Sequence, residues 1–192
     1  MKLAIVILNY NDGLLTFEYV KKLINYKCLD LIIITDNGST DDSVDILQKL
    51  VSDKVILLCT NNNIGYAKGN NFALKYISNN YKDISHVIIS NPDIKVEEKT
   101  IISLINIFDK YENMFACTAE VYNNNGERIK NFIYKVPTTF SLFVESSPII
   151  RTILRKIFGF SKRYNLNKIK ANDELFYGDA LPGCFFMANM SK

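Results

Sequence analysis

Residues that most often build catalytic and metal sites are scarce in this sequence. Its 192 residues include one histidine, His86, so a Ser-His-Asp or Cys-His arrangement would need that residue. His86 begins an apolar run, and we expect it to be structural. The four cysteines have no C-x-x-C spacing, which disfavours a zinc site or a disulfide framework. Reduced, buried thiols of a cytosolic protein are expected instead.

Long apolar runs and glycine-rich phosphate motifs are also missing. No apolar stretch approaches the roughly 20 residues that a membrane-spanning helix requires. The apolar start, residues 1–8, changes at once to Asn9-Tyr10-Asn11-Asp12-Gly13 and predicts a first strand rather than a signal peptide. Neither G-x-G-x-x-G nor G-x-x-x-x-G-K-[ST] occurs, which removes the main support for dinucleotide and P-loop sites. A formal charge of +3 is too small to indicate nucleic-acid binding.

Apolar runs alternate with segments of helical period up to residue 111. The apolar runs are continuous in Ile, Val and Leu, as in strands covered on both faces: Leu3–Leu8, Leu31–Thr35, Val55–Cys59 and His86–Ser90. The helix-period segments are Leu15–Tyr26, Asp42–Val51, Ala67–Asn79 and Glu97–Tyr111. This order predicts an α/β fold with a mostly parallel central sheet and helices on both faces. Beyond it we expect a fifth strand, a turn and its hairpin partner: Phe115–Tyr122, Asn123–Gly126 and Arg128–Val136.

The segment after the second predicted strand carries the strongest functional signal. Asp36 follows the apolar run Leu31–Thr35, at the strand end where open α/β sheets bind ligands. Its carboxylate could accept a hydrogen bond from a pyrimidine imide or a ribose hydroxyl, or only from backbone N–H groups of its own turn. Ser39 and Asp42 have capping-box spacing, which predicts a helix start at Asp42.

A second polar turn, Asn91-Pro92-Asp93, follows the fourth predicted strand. Because parallel strands end at the same edge, we expect Asp93 and Asp36 at neighbouring strand ends. One carboxylate together with phosphate oxygens and water suits Mg²⁺ or Mn²⁺. The alternative is an ordinary turn or helix entry.

A glycine-containing segment lies between these two turns. Gly65 and Gly69 flank Lys68 at the start of a predicted helix. Backbone N–H groups and a lysine in such a place can approach a phosphate. The alternative is a plain loop and cap with Lys68 in solvent.

Five motifs occur in an order that resembles the family 2 glycosyltransferases, particularly the bacterial rhamnosyltransferase-like branch. They read VILNYN, DNGSTD, NIGYAKGNN, NPD and GCFFM, and begin at Val6, Asp36, Asn63, Asn91 and Gly183. The resemblance extends from residue 1 to about residue 190 and is strongest before Asp93.

The resemblance implies a GT-A fold that binds a nucleoside-diphosphate sugar. The positions that it places around the donor are Leu8, Asn9, Tyr10, Asp36, Asn37, Gly65, Lys68 and Asn91. The D-x-D metal motif of the family falls on Asn91-Pro92-Asp93, so Asp93 is the implied ligand of Mn²⁺ or Mg²⁺. The implied reaction is inverting transfer from a UDP- or dTDP-sugar in bacterial surface-polysaccharide assembly.

One departure from the family concerns the general base. The family places an acidic motif beyond GCFFM, so the base is expected beyond Lys192 and the chain is expected to be truncated. The alternative is an inactive fragment that binds nucleotide-sugar without transferring it. We expect one domain over residues 1–192, with a donor-binding half (1–112) and an incomplete acceptor-binding half (113–192).

The resemblance also bears on partners and location. Acceptors in the family are saccharides or lipid-linked saccharides, and the basic amphipathic segment Ile149–Phe158 could contact an anionic membrane. A core-packing helix is the alternative for this segment. A cytoplasmic location is expected, on the inner face of the cell membrane if that contact forms, and self-association remains open.

Overall fold

A computed structural model describes residues 1–111, 113–123, 125–127, 129 and 181–190 of the chain. The chain divides into two compact units, Met1–Ala119 with Gly183–Lys192, and Glu120–Pro182. Among the described residues, no helix is both long enough and apolar enough to cross a membrane. The donor and acceptor halves expected from the sequence stay a prediction.

Strands and helices alternate in the first unit as predicted. The elements are β1 (Leu3–Asn9), α1 (Gly13–Leu23), β2 (Leu31–Asp36), α2 (Ser43–Gln48), β3 (Val55–Cys59), α3 (Tyr66–Asn80), β4 (His86–Ser90), α4 (Glu98–Lys110), β5 (Ala116–Cys117) and β6 (Phe185–Asn189). The predicted bounds of β3 and β4 are confirmed, and β1 and β2 each extend one residue further.

One mixed sheet carries the six described strands in the order β3-β2-β1-β4-β6-β5. Strands β1 to β4 are parallel, with Asn9 opposite Asp36 and Ile5 opposite Ile88. Strand β6 is antiparallel to both β4 and β5. The predicted mostly parallel α/β class is therefore confirmed, with β6 as the strand of reversed direction.

Alternate strand residues face two separate cores. Ile5 and Ile32 belong to the core that also contains α1, α2 and α4, through residues such as Val20, Leu47 and Ile101. Val6 packs with α3 in the core on the other face of the sheet. Because β-strand side chains alternate between faces, a strand covered on both sides must be apolar throughout, which explains the continuous Ile and Val runs.

The predicted capping box is wrong. Helix α2 begins at Ser43, its N-cap residue Asp42 makes no side-chain cap bond, and it ends at Gln48 rather than Val51. Asp41 Oδ1 instead accepts the Ser43 N–H at 3.0 Å, and the Ser39 hydroxyl donates to Asp36. The S-x-x-D segment therefore forms a turn before the helix and not a capping box, because the Ser39 hydroxyl is hydrogen-bonded to the carboxylate of Asp36.

The segments after α4 differ from the prediction. Strand β5 is limited to Ala116 and Cys117, whereas Phe115–Tyr122 was expected, and strand β6 was not predicted as a strand. The predicted turn is present, with the Asn123 N–H bonded to the Glu127 carbonyl at 2.9 Å. Nearly all of the predicted partner strand Arg128–Val136, and the whole segment Ile149–Phe158, lie outside the described residues.

Candidate functional site

The sheet reverses its strand order at β1, and the polar motifs gather at the carboxyl edge beside it. The chain proceeds from β1 to β2 and β3 on one side, whereas β4 lies on the other. Ligands of open α/β sheets bind in the crevice at such a switch point. Asp36 ends β2 and Asp93 follows β4, so the two carboxylates flank β1. The expectation of neighbouring strand ends is therefore corrected, because β1 lies between them.

Asp36 is held by its own surroundings. The residue is 1% exposed. Its Oδ1 accepts the Ser39 N–H at 2.9 Å, and its Oδ2 accepts the Ser39 hydroxyl at 2.6 Å and the Asn9 amide at 2.8 Å. A carboxylate offers about four lone-pair positions, so these three donors leave capacity for about one more. Asp36 therefore does accept a backbone N–H of its own turn, as the alternative interpretation expected. A nucleobase would have to donate to the one lone-pair position that remains.

Asn9 positions that carboxylate. It is completely buried, and its Oδ1 accepts the Thr16 hydroxyl at 2.8 Å, which fixes the amide so that Nδ2 faces Asp36. Its backbone carbonyl accepts the Asn37 N–H at 2.8 Å. Thr16 was not predicted from the sequence, and Ser39 was assigned there to a helix cap rather than to Asp36. The D-x-x-S spacing of a side-chain turn was a signal for Ser39, whereas no local signal pointed to Thr16.

The loop after β1 is bonded to the loop after β2. Asn11 has a positive φ of 52°, and its backbone N–H donates to the Ser39 hydroxyl oxygen at 2.9 Å. Its side-chain oxygen accepts the Thr40 N–H at 2.8 Å. Asparagine tolerates this backbone region better than most residues. The conformation lets one side chain join two loops of the edge.

The loop after β2 is bonded in turn to the loop after β3. Asn37 is 2% exposed, and its amide donates to Asn63 Oδ1 at 3.0 Å and accepts the Ile64 N–H at 3.1 Å. Gly38 lies against the backbone of Asn62, where an added Cβ would stand 2.4 Å from the carbonyl carbon. Asn37 was predicted to touch the donor, and here both ends of its amide hold a loop.

The amino end of α3 lies beyond that loop. Gly65 is the N-cap residue and makes no side-chain cap bond, and Lys68 is exposed in the first turn. Leu8, half-buried on β1, faces Gly69, where an added Cβ would stand 2.5 Å from its Cδ1. Tyr10, directly after β1, is 45% exposed. Open helical N–H groups and a nearby lysine favour an anionic group at this place.

The other side of the switch point is formed by the turn after β4 and the start of β6. The Asn91 N–H donates to the Cys184 carbonyl at 2.8 Å, and the Asn91 carbonyl accepts the Ile94 N–H at 3.3 Å. Asp93 is exposed. Burial raises the pKa of the Cys184 thiol, and the negative charge of Asp93 adds to that effect. The GCFFM segment thus lies directly beside the predicted metal turn.

A metal would have to share its ligands with a substrate. Among the described residues, no group of three His, Cys, Asp or Glu side chains could hold an ion. Mg²⁺ usually binds through one or two carboxylates together with substrate phosphates. Asp93, exposed and beside Asn91, fits that pattern, because a bound diphosphate would supply the missing oxygen ligands.

The expectation of buried thiols holds for only one described cysteine. All four are free, and Cys117 is buried, Cys28 and Cys184 are half-buried, and Cys59 at the end of β3 is exposed. Burial raises the pKa of Cys117 to about 12. For Cys59, burial and then the charge of Asp36 raise the pKa. The edge position of β3 leaves Cys59 accessible, which its apolar sequence context did not reveal.

These positions predict the order of thiol alkylation. We expect iodoacetamide at pH 8 to modify Cys59 first and Cys117 last, at least about a hundredfold apart in rate, because the thiolate is the reactive form. Peptide mass spectrometry over time would measure the order. A Cys59→Ser variant should lose the fast phase, and labelling of Cys117 at the rate of Cys59 would contradict the described packing.

The chain is similar to known glycosyltransferases in sequence family and in fold. A family model described as Glycosyl transferase family 2 matches residues 4–176. No curated protein sequence matches the chain. The Staphylococcus aureus TarS 1–349 structure superposes with a TM-score of 0.56 at 18% identity, over 71% of this chain and 42% of that one.

A second likeness is to glucosyl-3-phosphoglycerate synthase of Mycobacterium tuberculosis. Its complex with UDP superposes with a TM-score of 0.51 at 12% identity, over 99% of this chain and 57% of that one. Its complex with Mn²⁺, UDP and phosphoglyceric acid gives 0.51 at 11% identity, over 99% and 56%. The chain therefore spans less than two thirds of the length of these structures.

At identities this low, the superpositions establish a shared fold and no more. That shared fold confirms the predicted α/β architecture of GT-A type. The family model covers most of the chain, including β1 to β4 and the turn that follows β4. The chain belongs to glycosyl transferase family 2.

Proposed function

We propose that this chain is an inverting glycosyltransferase of the rhamnosyltransferase-like branch. It takes a UDP- or dTDP-sugar and transfers the sugar to a saccharide or lipid-linked saccharide in bacterial surface-polysaccharide assembly. The observation that supports this most is the switch point, with Asp36 on one side of β1 and Asp93 on the other, in a chain of family 2.

The nucleoside would occupy the side of Asp36. Uracil and thymine carry an imide N–H, and the remaining lone pair of Asp36 Oδ1 can accept it. The exposed ring of Tyr10 offers an apolar surface to the base. The amino end of α3, with Gly65 and Lys68, would face the diphosphate, because a helix N-terminus favours negative charge.

The diphosphate and its metal would occupy the side of Asp93. Asp93 would hold Mn²⁺ or Mg²⁺ together with diphosphate oxygens, and Asn91 would border the same site. The bound ion neutralises the negative charge that develops on the leaving diphosphate. Support comes from the synthase structure that contains both Mn²⁺ and UDP.

Inversion would follow from a single displacement in which one base takes the acceptor proton. No described residue is assigned as that base. Residues 113–192 would contribute to the acceptor site. We further propose a cytoplasmic location, contact of Ile149–Phe158 with the inner surface of the membrane, and self-association. The base would contribute about 10²- to 10⁴-fold to the rate, so the donor site can be tested without it.

Calorimetric titration of UDP, dTDP, GDP and CDP, with and without Mn²⁺, tests the donor site. We expect metal-dependent binding of UDP or dTDP. CDP should bind at least about tenfold more weakly, because cytosine has no imide N–H for the carboxylate. GDP measures whether the site tolerates a purine. Equal binding of UDP and CDP, or no binding of any of the four, would refute the proposed nucleoside site.

A further inference from the structure

We propose that the Tyr66 hydroxyl is a positioning group that couples the nucleoside side of the switch point to its metal side. It does so by fixing the segment Gly183–Cys184, which in turn holds the turn that carries Asp93. Tyr66 would thereby hold the two sides of the donor site in a fixed relative position, an inference that rests on the proposed function.

Among the described residues, the loops at the carboxyl edge of the sheet form two hydrogen-bonded groups. On the nucleoside side, Asn11 joins the loops after β1 and β2, and Asn37 joins the loops after β2 and β3. On the metal side, the Asn91 N–H and the Cys184 carbonyl join the turn after β4 to the start of β6. The proposed crevice lies between these groups, so their relative position determines whether a diphosphate and a metal are held together.

Tyr66 connects the two groups. It is the first residue of α3, directly after the Asn37-bonded loop, and its hydroxyl donates to the carbonyl of Gly183, which lies 117 residues further along the chain. Its ring packs on Gly183, where an added Cβ would stand 3.7 Å from Cε1. A tyrosine hydroxyl is protonated at neutral pH, and burial raises the pKa of Tyr66 further, so the hydroxyl is available as a donor.

The connection reaches the metal turn in two steps. Tyr66 fixes the Gly183 carbonyl, the next residue Cys184 offers its carbonyl to the Asn91 N–H at 2.8 Å, and Asp93 lies in that turn. A group that is held in place before binding gives higher affinity, because less freedom is lost when the ligand arrives. Loss of the hydroxyl should therefore weaken metal-dependent binding without weakening the metal-independent part.

The test compares Tyr66→Phe with Tyr76→Phe, a change further along the same helix at a hydroxyl with no hydrogen bond among the described residues. UDP is titrated into each protein with and without Mn²⁺. We expect Tyr66→Phe to reduce the Mn²⁺ enhancement of UDP affinity about three- to tenfold, the usual value of one hydrogen bond. Metal-free UDP affinity should stay within about twofold, and Tyr76→Phe should match the wild type.

Hydrogen exchange of the ligand-free protein tests the coupling independently. In Tyr66→Phe the Asn91 amide should exchange about three- to tenfold faster, since opening of its bond to Cys184 becomes easier. The backbone N–H of Asn37, which donates to the Asn9 carbonyl on the nucleoside side, serves as the internal control, and its exchange rate should not change.

The outcomes separate the two proposals. If the wild type shows no Mn²⁺ enhancement of UDP binding, the proposed metal function fails, and exchange at Asn91 alone decides the coupling. If the wild type shows the enhancement and Tyr66→Phe retains it in full, the coupling through Tyr66 is refuted. Unchanged Asn91 exchange in Tyr66→Phe refutes it as well.

Discussion

Replacing Gly38 by alanine should cost about 3–5 kcal/mol of unfolding free energy and abolish measurable UDP binding. Gly38 has a φ of 74°, in the left-handed region that costs an L-residue about 1–2 kcal/mol. An added Cβ would also stand 2.4 Å and 2.5 Å from the carbonyl carbon and Cα of Asn62. Those atoms are backbone, so relief requires the loop after β3 to move away from Asn37.

Gly126→Ala is the matched control for this substitution. Gly126 has a φ of 76°, but among the described residues an added Cβ would meet nothing within 4 Å. Its cost should be the backbone strain alone, about 1–2 kcal/mol. Urea unfolding of both variants measures the difference. Equal costs at the two positions would show that the contact between the loops after β2 and β3 is not tight.

Replacing Asp93 by asparagine should remove the dependence of UDP binding on Mn²⁺. The substitution keeps the size of the side chain and removes the one charged metal ligand that we assign. UDP affinity in the presence of Mn²⁺ should fall at least about tenfold, towards the metal-free value. Metal-free affinity and the unfolding midpoint should not change, because the side chain is exposed. Calorimetry and thermal unfolding measure the two quantities.

Two further variants make that result specific. Asp83→Asn removes another exposed carboxylate, whose partner Lys2 precedes β1 at the opposite edge of the sheet, and should leave Mn²⁺-dependent UDP binding unchanged. Asp36→Asn, in contrast, should lower the metal-free affinity for UDP and should leave the Mn²⁺ enhancement of UDP binding in place. Its buried amide would face the Asn9 donor and the Ser39 N–H and hydroxyl, so stability should fall as well as UDP affinity. Retained Mn²⁺ dependence in Asp93→Asn would contradict its assignment.

The first unit was predictable as far as β4 because its signals are local. A strand buried on both faces must be apolar at every position, and a helix that covers it must be apolar every third or fourth residue. Both patterns can be recognised in a short window, as in Ile32–Ile34 or along α4. Strand β6 was missed since its antiparallel pairing with β4 depends on a partner distant in the sequence.

For the candidate site, the sequence predicted which polar residues lie at the carboxyl edge of the sheet. The end of a parallel strand is fixed by the sequence, so Asp36 and Asn91–Asp93 could be assigned to one edge. The roles of individual side chains were not. The spacing of Ser39 and Asp42 fits a helix cap, and only the packing of β1 beside β2 brings Asn9 and Asp36 together and assigns Ser39 to that carboxylate.

The sequence by itself determined the family, the α/β class and the identity of the polar groups at the strand ends. The tertiary structure decided the strand order that puts β1 between Asp36 and Asp93, and the contact of Tyr66 with Gly183. Residue patterns encode burial and neighbours within a few positions, because helix and strand geometry repeat over that distance. Which distant segments meet depends on the packing of the whole sheet, and no local pattern records it.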